Sequence, residues 1–226
     1  MKFPKIFHFF FMTQTQVHAF IFLTLIYICS ATSTVTIPTS FGSIVGLERQ
    51  ETVEFLGIPF AKPPLDDLRF APPQAWKANS FPYQMTATEF GSACIQRKSL
   101  IYDFPGEPNE DCLYLNVYSP KSDNIAAMNL PVMVWIHGGS FTGGSGSEYK
   151  YNGTVLAASR DVVIVTINYR LGVLGYLADN AFCNEYQNCG MNGMLDQQMA
   201  LNWVQGNIEY FGGNPNNVTI FGLVIL

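Results

Sequence analysis

The residues best suited to chemistry lie in one glycine-rich stretch, His137-Gly138-Gly139-Ser140-Phe141, extended by Gly143, Gly144 and Gly146. It follows directly on an apolar run, Val132–Ile136. Bare backbone at the end of a buried strand lets successive N–H groups converge on an anion. Two anions suit such a loop: a bound phosphate, or the transient oxyanion of an acyl transfer. The phosphate reading lacks its usual sequence. No G-x-x-x-x-G-K-[ST] pattern occurs, and Tyr149 stands where a third glycine would complete G-x-G-x-x-G after Gly144 and Gly146. A tight structural turn would use the same glycines.

Acyl transfer by a serine also needs a general base, usually histidine. The chain has three: His8, His18 and His137. The first two belong to the N-terminal segment, and His137 adjoins the glycine loop itself. None is placed to act as that base. No Cys-x-x-Cys or His-x-His spacing is present, so neither a metal site nor a cofactor is expected.

The elements that must position the loop read as alternating strands and helices. Val132–Ile136 and Val162–Ile167 are continuous apolar runs, as strands buried on both faces would be. Leu113–Tyr118 reads as another strand, and Val218–Phe221 begins one more. Residues 34–60 read as short strands broken by Gly42, Gly46 and Gly57. Residues 59–82 are rich in proline and read as an irregular surface path. A short helix is predicted over Thr154–Arg160. A longer one is predicted from about Gly193 to Tyr210, with Asn192 as N-cap and Gly212 and Gly213 as its stop. Leu195, Met199, Trp203 and Ile208 would form its buried face, and Asp196, Gln197, Asn202, Gln205 and Glu209 its polar face. This alternation predicts an α/β sheet.

Composition narrows the class. Of 226 residues, 48% are hydrophobic and 13% charged, which excludes a disordered chain. The net charge is −5 and no basic block occurs, so nucleic acid is not an expected partner. Residues 17–29 form an uncharged apolar run, shorter than the roughly 20 residues of a membrane span. They fit the apolar region of a secretory signal cleaved after Ala31, with an uncleaved anchor as the alternative. Residues 1–31 are therefore expected to be a signal peptide, and the protein to be secreted. Cys94, Cys112, Cys183 and Cys189 remain beyond it. An even count in an exported chain suggests two disulfides, and proximity favours Cys94–Cys112 and Cys183–Cys189. Of two glycosylation triplets, Asn152-Gly153-Thr154 reads as exposed, whereas Asn217-Val218-Thr219 runs into an expected buried strand. Only Asn152 is expected to carry a glycan.

Three further stretches bear on what the glycine loop is for. They are Gly57-Ile58-Pro59-Phe60-Ala61-Lys62-Pro63-Pro64 with Leu68-Arg69-Phe70, Glu110-Asp111-Cys112-Leu113-Tyr114-Leu115-Asn116-Val117-Tyr118-Ser119-Pro120, and Phe211-Gly212-Gly213-Asn214-Pro215-Asn216-Asn217-Val218-Thr219-Ile220-Phe221-Gly222. With His137–Phe141 and Leu195-Asp196-Gln197-Gln198, they resemble the type-B carboxylesterase (cholinesterase-like) family across residues 32–226.

The resemblance implies the N-terminal part of an α/β-hydrolase fold, incomplete: a mostly parallel central sheet with flanking helices, preceded by short antiparallel strands. It implies an ester hydrolase working through an acyl-enzyme on a small carboxylic ester. Gly139 and Ser140 would supply oxyanion-hole N–H groups, glycine being common in the family where Ser140 stands. Cys94–Cys112 would close the family's N-terminal disulfide loop, and Arg69 and Glu110 would form its buried salt bridge. Residues 95–111 hold no Trp, so choline recognition is not expected. In the family the third stretch leads into Gly-x-Ser-x-Gly, the nucleophile elbow. Here the sequence continues Gly222-Leu223-Val224-Ile225-Leu226, with Val224 at the nucleophile position. Residues 32–226 thus read as a truncated carboxylesterase type-B domain that is inactive as this chain. The alternative is a non-catalytic cholinesterase-like protein of the cell surface or secreted space, acting through a protein partner.

Overall fold

A computed structural model describes residues 33–76, 84–97, 99–180 and 189–223. Its strands are β1 (Thr34–Thr39), β2 (Gly42–Glu48), β3 (Thr52–Pro59), β4 (Gln84–Thr86), β5 (Tyr114–Pro120), β6 (Leu130–Ile136), β7 (Val163–Ile167) and β8 (Gly213–Gly222). The helices are α1 (Thr154–Arg160), α2 (Gly172–Tyr176) and α3 (Asn192–Asn207), and of the short 3₁₀ turns one, Ile208–Phe211, continues α3. The strands form one mixed sheet in the order β1-β2-β3-β5-β7-β6-β8, with β4 paired to β2. Pairing is antiparallel from β1 through β3 and β5 to β7, then parallel from β7 through β6 to β8.

Every residue of β7 is buried, which is why its sequence is apolar without interruption. Successive side chains of a strand face opposite sides of the sheet. On one side Val117, Val132, Val134, Val163, Val165 and Ile167 join Ala200, Val204 and Ile208 of α3 and its continuation. On the other, Tyr118 and Ile164 pack with Ala157 of α1. Phe211 closes the first layer, its ring edge-on to Phe55 at 4.9 Å. The pairwise alternation of these residues puts α3 and α1 on opposite faces of the same strands.

β6 departs from the expectation of burial on both faces. Val132 and Val134 are buried, but Met133, Trp135 and Ile136 are only partly so, and Pro131 is exposed. Helix α1 packs chiefly on β5, flanked by β3 and β7, and leaves this side of β6 partly open. β8 runs longer than its apolar core, and Asn216, Asn217, Thr219 and Ile220 are exposed, β8 being the outermost strand of the sheet among the described residues. Asn217 and Thr219 are therefore at the surface, contrary to the expectation that their triplet enters a buried strand.

Helix α3 is present but rotated from its predicted face. Its buried residues are Asn192, Gly193, Asp196, Ala200 and Val204, whereas Leu195, Met199 and Trp203 are half-buried. Asn192 does not cap it. Met191 holds the cap position, and the Asn192 side chain donates instead to the carbonyl of Phe70 at 2.7 Å. The small residues Gly193 and Ala200 bring the helix close to its neighbours, and Asp196 is turned inward by a cation described below.

Candidate active site

The glycine loop leaves β6 at Ile136, beside the end of β8: Ile136 pairs with Gly222, and the Leu223 amide donates to the Ile136 carbonyl at 3.4 Å. Carboxyl ends of adjacent parallel strands are where open α/β sheets bind ligands. A cavity of about 490 Å³ opens there. Its walls are the loop from His137 to Phe141, Tyr169, Met194, Gln197 and the end of β8 from Ile220 to Leu223.

The loop backbone is strained. Gly139 has φ 117°, and Ser140 and Phe141 follow in the left-handed region at 51° and 61°. The two non-glycine residues cost roughly 1 kcal/mol or more each, a strain that persists only where the surroundings dictate it. At Gly139 a side chain is excluded outright, because a Cβ would stand 2.1 Å from the Gly143 carbonyl oxygen.

The surroundings that dictate it are specific. The Gly139 carbonyl accepts from the Thr142 amide at 2.9 Å, the Thr142 hydroxyl at 3.1 Å and the Gly143 amide at 3.2 Å. His137 Nδ1 donates to the Gly138 carbonyl at 2.9 Å. In a trans peptide C=O and N–H point oppositely. Fixing the carbonyls of Gly138 and Gly139 therefore fixes where the N–H groups of Gly139 and Ser140 point.

His137 is buried and stacked on Tyr169, ring centroids 4.4 Å apart, and the Tyr169 hydroxyl donates to the His137 carbonyl at 2.8 Å. Burial pushes the imidazole down to about 4, against the pull of its bond to Gly138. The ring is neutral near pH 7 and committed to the loop. Burial also pushes the Tyr169 phenol up to about 12.

Cys94 and Cys112 are disulfide-bonded. The loop they close lies against the glycine loop: a Cβ on Gly143 would meet the Tyr102 ring at 2.3 Å. Cys189 is disulfide-bonded, and Cys183 lies outside the described residues. Arg69 and Glu110 form an ion pair at 2.5 Å, but the side chains are 42% and 26% exposed. The pair is thus half-buried, not buried as expected. The buried pair is Arg170–Asp196, 2% and 0% exposed, with three bonds from Arg170 to the carboxylate: Nη2 to Oδ1 at 2.7 Å, Nε to Oδ2 at 2.8 Å and the backbone amide to Oδ2 at 3.0 Å. Arg170 also donates to the carbonyls of Arg69 and Ala71. Asn152 is exposed, its side-chain oxygen accepting from the Thr154 amide. Val224 lies outside the described residues. Among the described residues no cluster of His, Cys, Asp and Glu is arranged to hold a metal ion.

Sequence reading missed Gln96, Asn168, Tyr169 and the Arg170–Asp196 pair. One signal was available: Asn168-Tyr169-Arg170 follows the apolar run of β7 just as the glycine loop follows that of β6.

The fold and the site together place a strained glycine loop over a cavity at the strand ends of an α/β sheet. The sequence profile of the carboxylesterase family matches residues 32–224, and the chain belongs to that family. Its relatives include the para-nitrobenzyl esterase of Bacillus subtilis (strain 168), 43% identical over 192 residues that make up 82% of this chain and 37% of that protein. The acetylcholinesterase of Electrophorus electricus is 45% identical over 202 residues, 83% of this chain and 31% of that one. A solved structure of PNB esterase superimposes with a TM-score of 0.74 at 42% identity, covering 84% of this chain and 38% of its own. The chain thus spans between 31% and 38% of the length of these relatives.

Proposed function

We propose that residues 32–226 carry the oxyanion-binding part of a serine carboxylic ester hydrolase, and that the 226-residue polypeptide alone does not turn over esters. The observation that carries this is the fixed direction of the Gly139 and Ser140 N–H groups at the wall of an apolar cavity. In such a hydrolase a serine oxygen attacks the ester carbonyl carbon, and the carbonyl electrons move to oxygen. The N–H groups of Gly139 and Ser140 would then donate to that oxyanion, in a site where apolar walls strengthen each bond. Collapse expels the alcohol and leaves an acyl-enzyme, which water hydrolyses. This polypeptide has valine at position 224, and its His137 is neutral and bonded to Gly138. Neither Val224 nor His137 can serve as the nucleophile or the base.

The test is hydrolysis of a small aryl ester together with labelling by a serine-reactive phosphonate. Neither turnover nor a labelled residue is expected, and robust turnover would refute the reading. Residues 1–31 are proposed to direct secretion and to be removed, with Asn152 glycosylated on the way. Secreted material should then begin at Thr32 and lose mass on enzymatic deglycosylation. An N-terminus retained at Met1 would refute the first, and an unchanged mass the second.

A further inference from the structure

The glycine loop is held not only from within but by a side chain of the disulfide-closed loop. Gln96 lies two residues beyond Cys94 and is half-buried. Its Oε1 accepts from the Gly144 amide at 2.8 Å, and its Nε2 donates to the Gly144 carbonyl at 2.8 Å and to the Cys94 carbonyl at 3.1 Å. Both amide hydrogens and the oxygen are thus engaged. Both backbone groups of Gly144 are held by one side chain, in a residue at φ 104°. The neighbouring turn is gripped in the same manner: Asn168 accepts from the Gly146 amide and donates to the carbonyls of Ser92 and Cys112.

We infer that Gln96 is a positioning residue for the oxyanion loop, a hydrogen-bonded link through which the Cys94–Cys112 loop sets the path of Gly139–Gly144. The inference rests on the esterase reading for the purpose of the loop, but not for the clamp itself. Gln96 touches no reacting atom. It fixes the C-terminal anchor of the loop, while His137 and Thr142 fix the carbonyls nearer its start. Glutamine suits the task because one side chain must both accept and donate to the same residue. An ionised glutamate can accept from the Gly144 amide, but it would set a second acceptor against the carbonyls of Gly144 and Cys94. A protonated one restores the donor.

The experiment is amide hydrogen exchange of the full polypeptide, resolved by residue, for wild type, Q96A and Q96E. Q96A should speed exchange across residues 138–146 by about tenfold while β5 and β7 keep their wild-type protection. Q96E should resemble Q96A near pH 8 and approach wild type near pH 5, each compared with wild type at the same pH. A residue that served stability alone would loosen the whole sheet and show no such reversal. Unchanged exchange at 138–146, or a uniform rise across the sheet in both variants at both pH values, would overturn the inference. If Q96A does not fold, the pH reversal in Q96E decides the matter. Exchange does not depend on ester turnover, so loss of the esterase reading would leave this result intact, and the converse holds too.

Discussion

Protonation of His137 should destabilise the fold, by an amount that follows from its burial. In the unfolded chain a histidine titrates near 6.5, and in the fold burial holds His137 at about 4. The folded value is the lower one. Between these limits the unfolded state binds the extra proton, so stability falls as pH falls through the window. Above it the effect is absent. Below it the full penalty is about 3 kcal/mol, at roughly 1.4 kcal/mol per pH unit. Between about pH 7 and pH 5 the loss should be about 2 kcal/mol. The assay is urea unfolding at a series of pH values for wild type and H137F. Phenylalanine keeps a ring against Tyr169 but cannot titrate, so that variant is less stable throughout yet lacks this slope. The two pH profiles should diverge by about 2 kcal/mol over that interval. Profiles that stay parallel to within about 0.5 kcal/mol would show that the imidazole takes up its proton without cost, and the neutral, loop-bound assignment would fall.

Removing the Asp196 carboxylate strands the buried Arg170 guanidinium, so D196A should lose about 3–5 kcal/mol by urea unfolding. Replacing both members by apolar residues should recover much of that, whereas a D196A loss below about 1 kcal/mol would contradict the burial of the pair. Cys94→Ser opens a loop of sequence separation 18 and should cost about 3 kcal/mol in the same assay under non-reducing conditions. Gly139→Ala forces a side chain into a backbone at φ 117° and against the Gly143 carbonyl. It should lower the melting temperature by about 5 °C or more. A fully tolerated alanine would mean that the loop does not follow the path described.

What the sequence made legible follows from what each residue needs. The apolar runs announced β6 and β7, and the motif residues announced the disulfide loop and the glycine loop. The face of α3 was not legible, because helical spacing ranks residues by polarity and Asp196 is polar. Its burial depends on a cation 26 residues earlier in the chain, which no local pattern contains. The same holds for Asn192, a good N-cap by type, whose amide is drawn to Phe70 across 122 residues. Gln96 is an ordinary polar residue until Gly144 is seen opposite it. The exposure of Asn217 came from the place of β8 in the strand order, which the composition of that segment does not encode.

The three residues that follow β7 explain why the loop can hold a strained path. Asn168 grips Gly146 and the Ser145 hydroxyl, and reaches Ser92 and Cys112 with its other atoms. Tyr169 carries the stacked ring and the hydroxyl that locate His137. Arg170 binds Asp196 of α3 and the carbonyls of Arg69 and Ala71. β7 is buried along its whole length and paired on both sides, so its end has a well-defined position. Three successive side chains carry that position to the glycine loop, to its histidine and to the helix that walls the cavity. Strain in Ser140 and Phe141 is then offset by bonds made far from them in sequence. A loop held this way is ordered without a ligand, which is what the proposed oxyanion role requires.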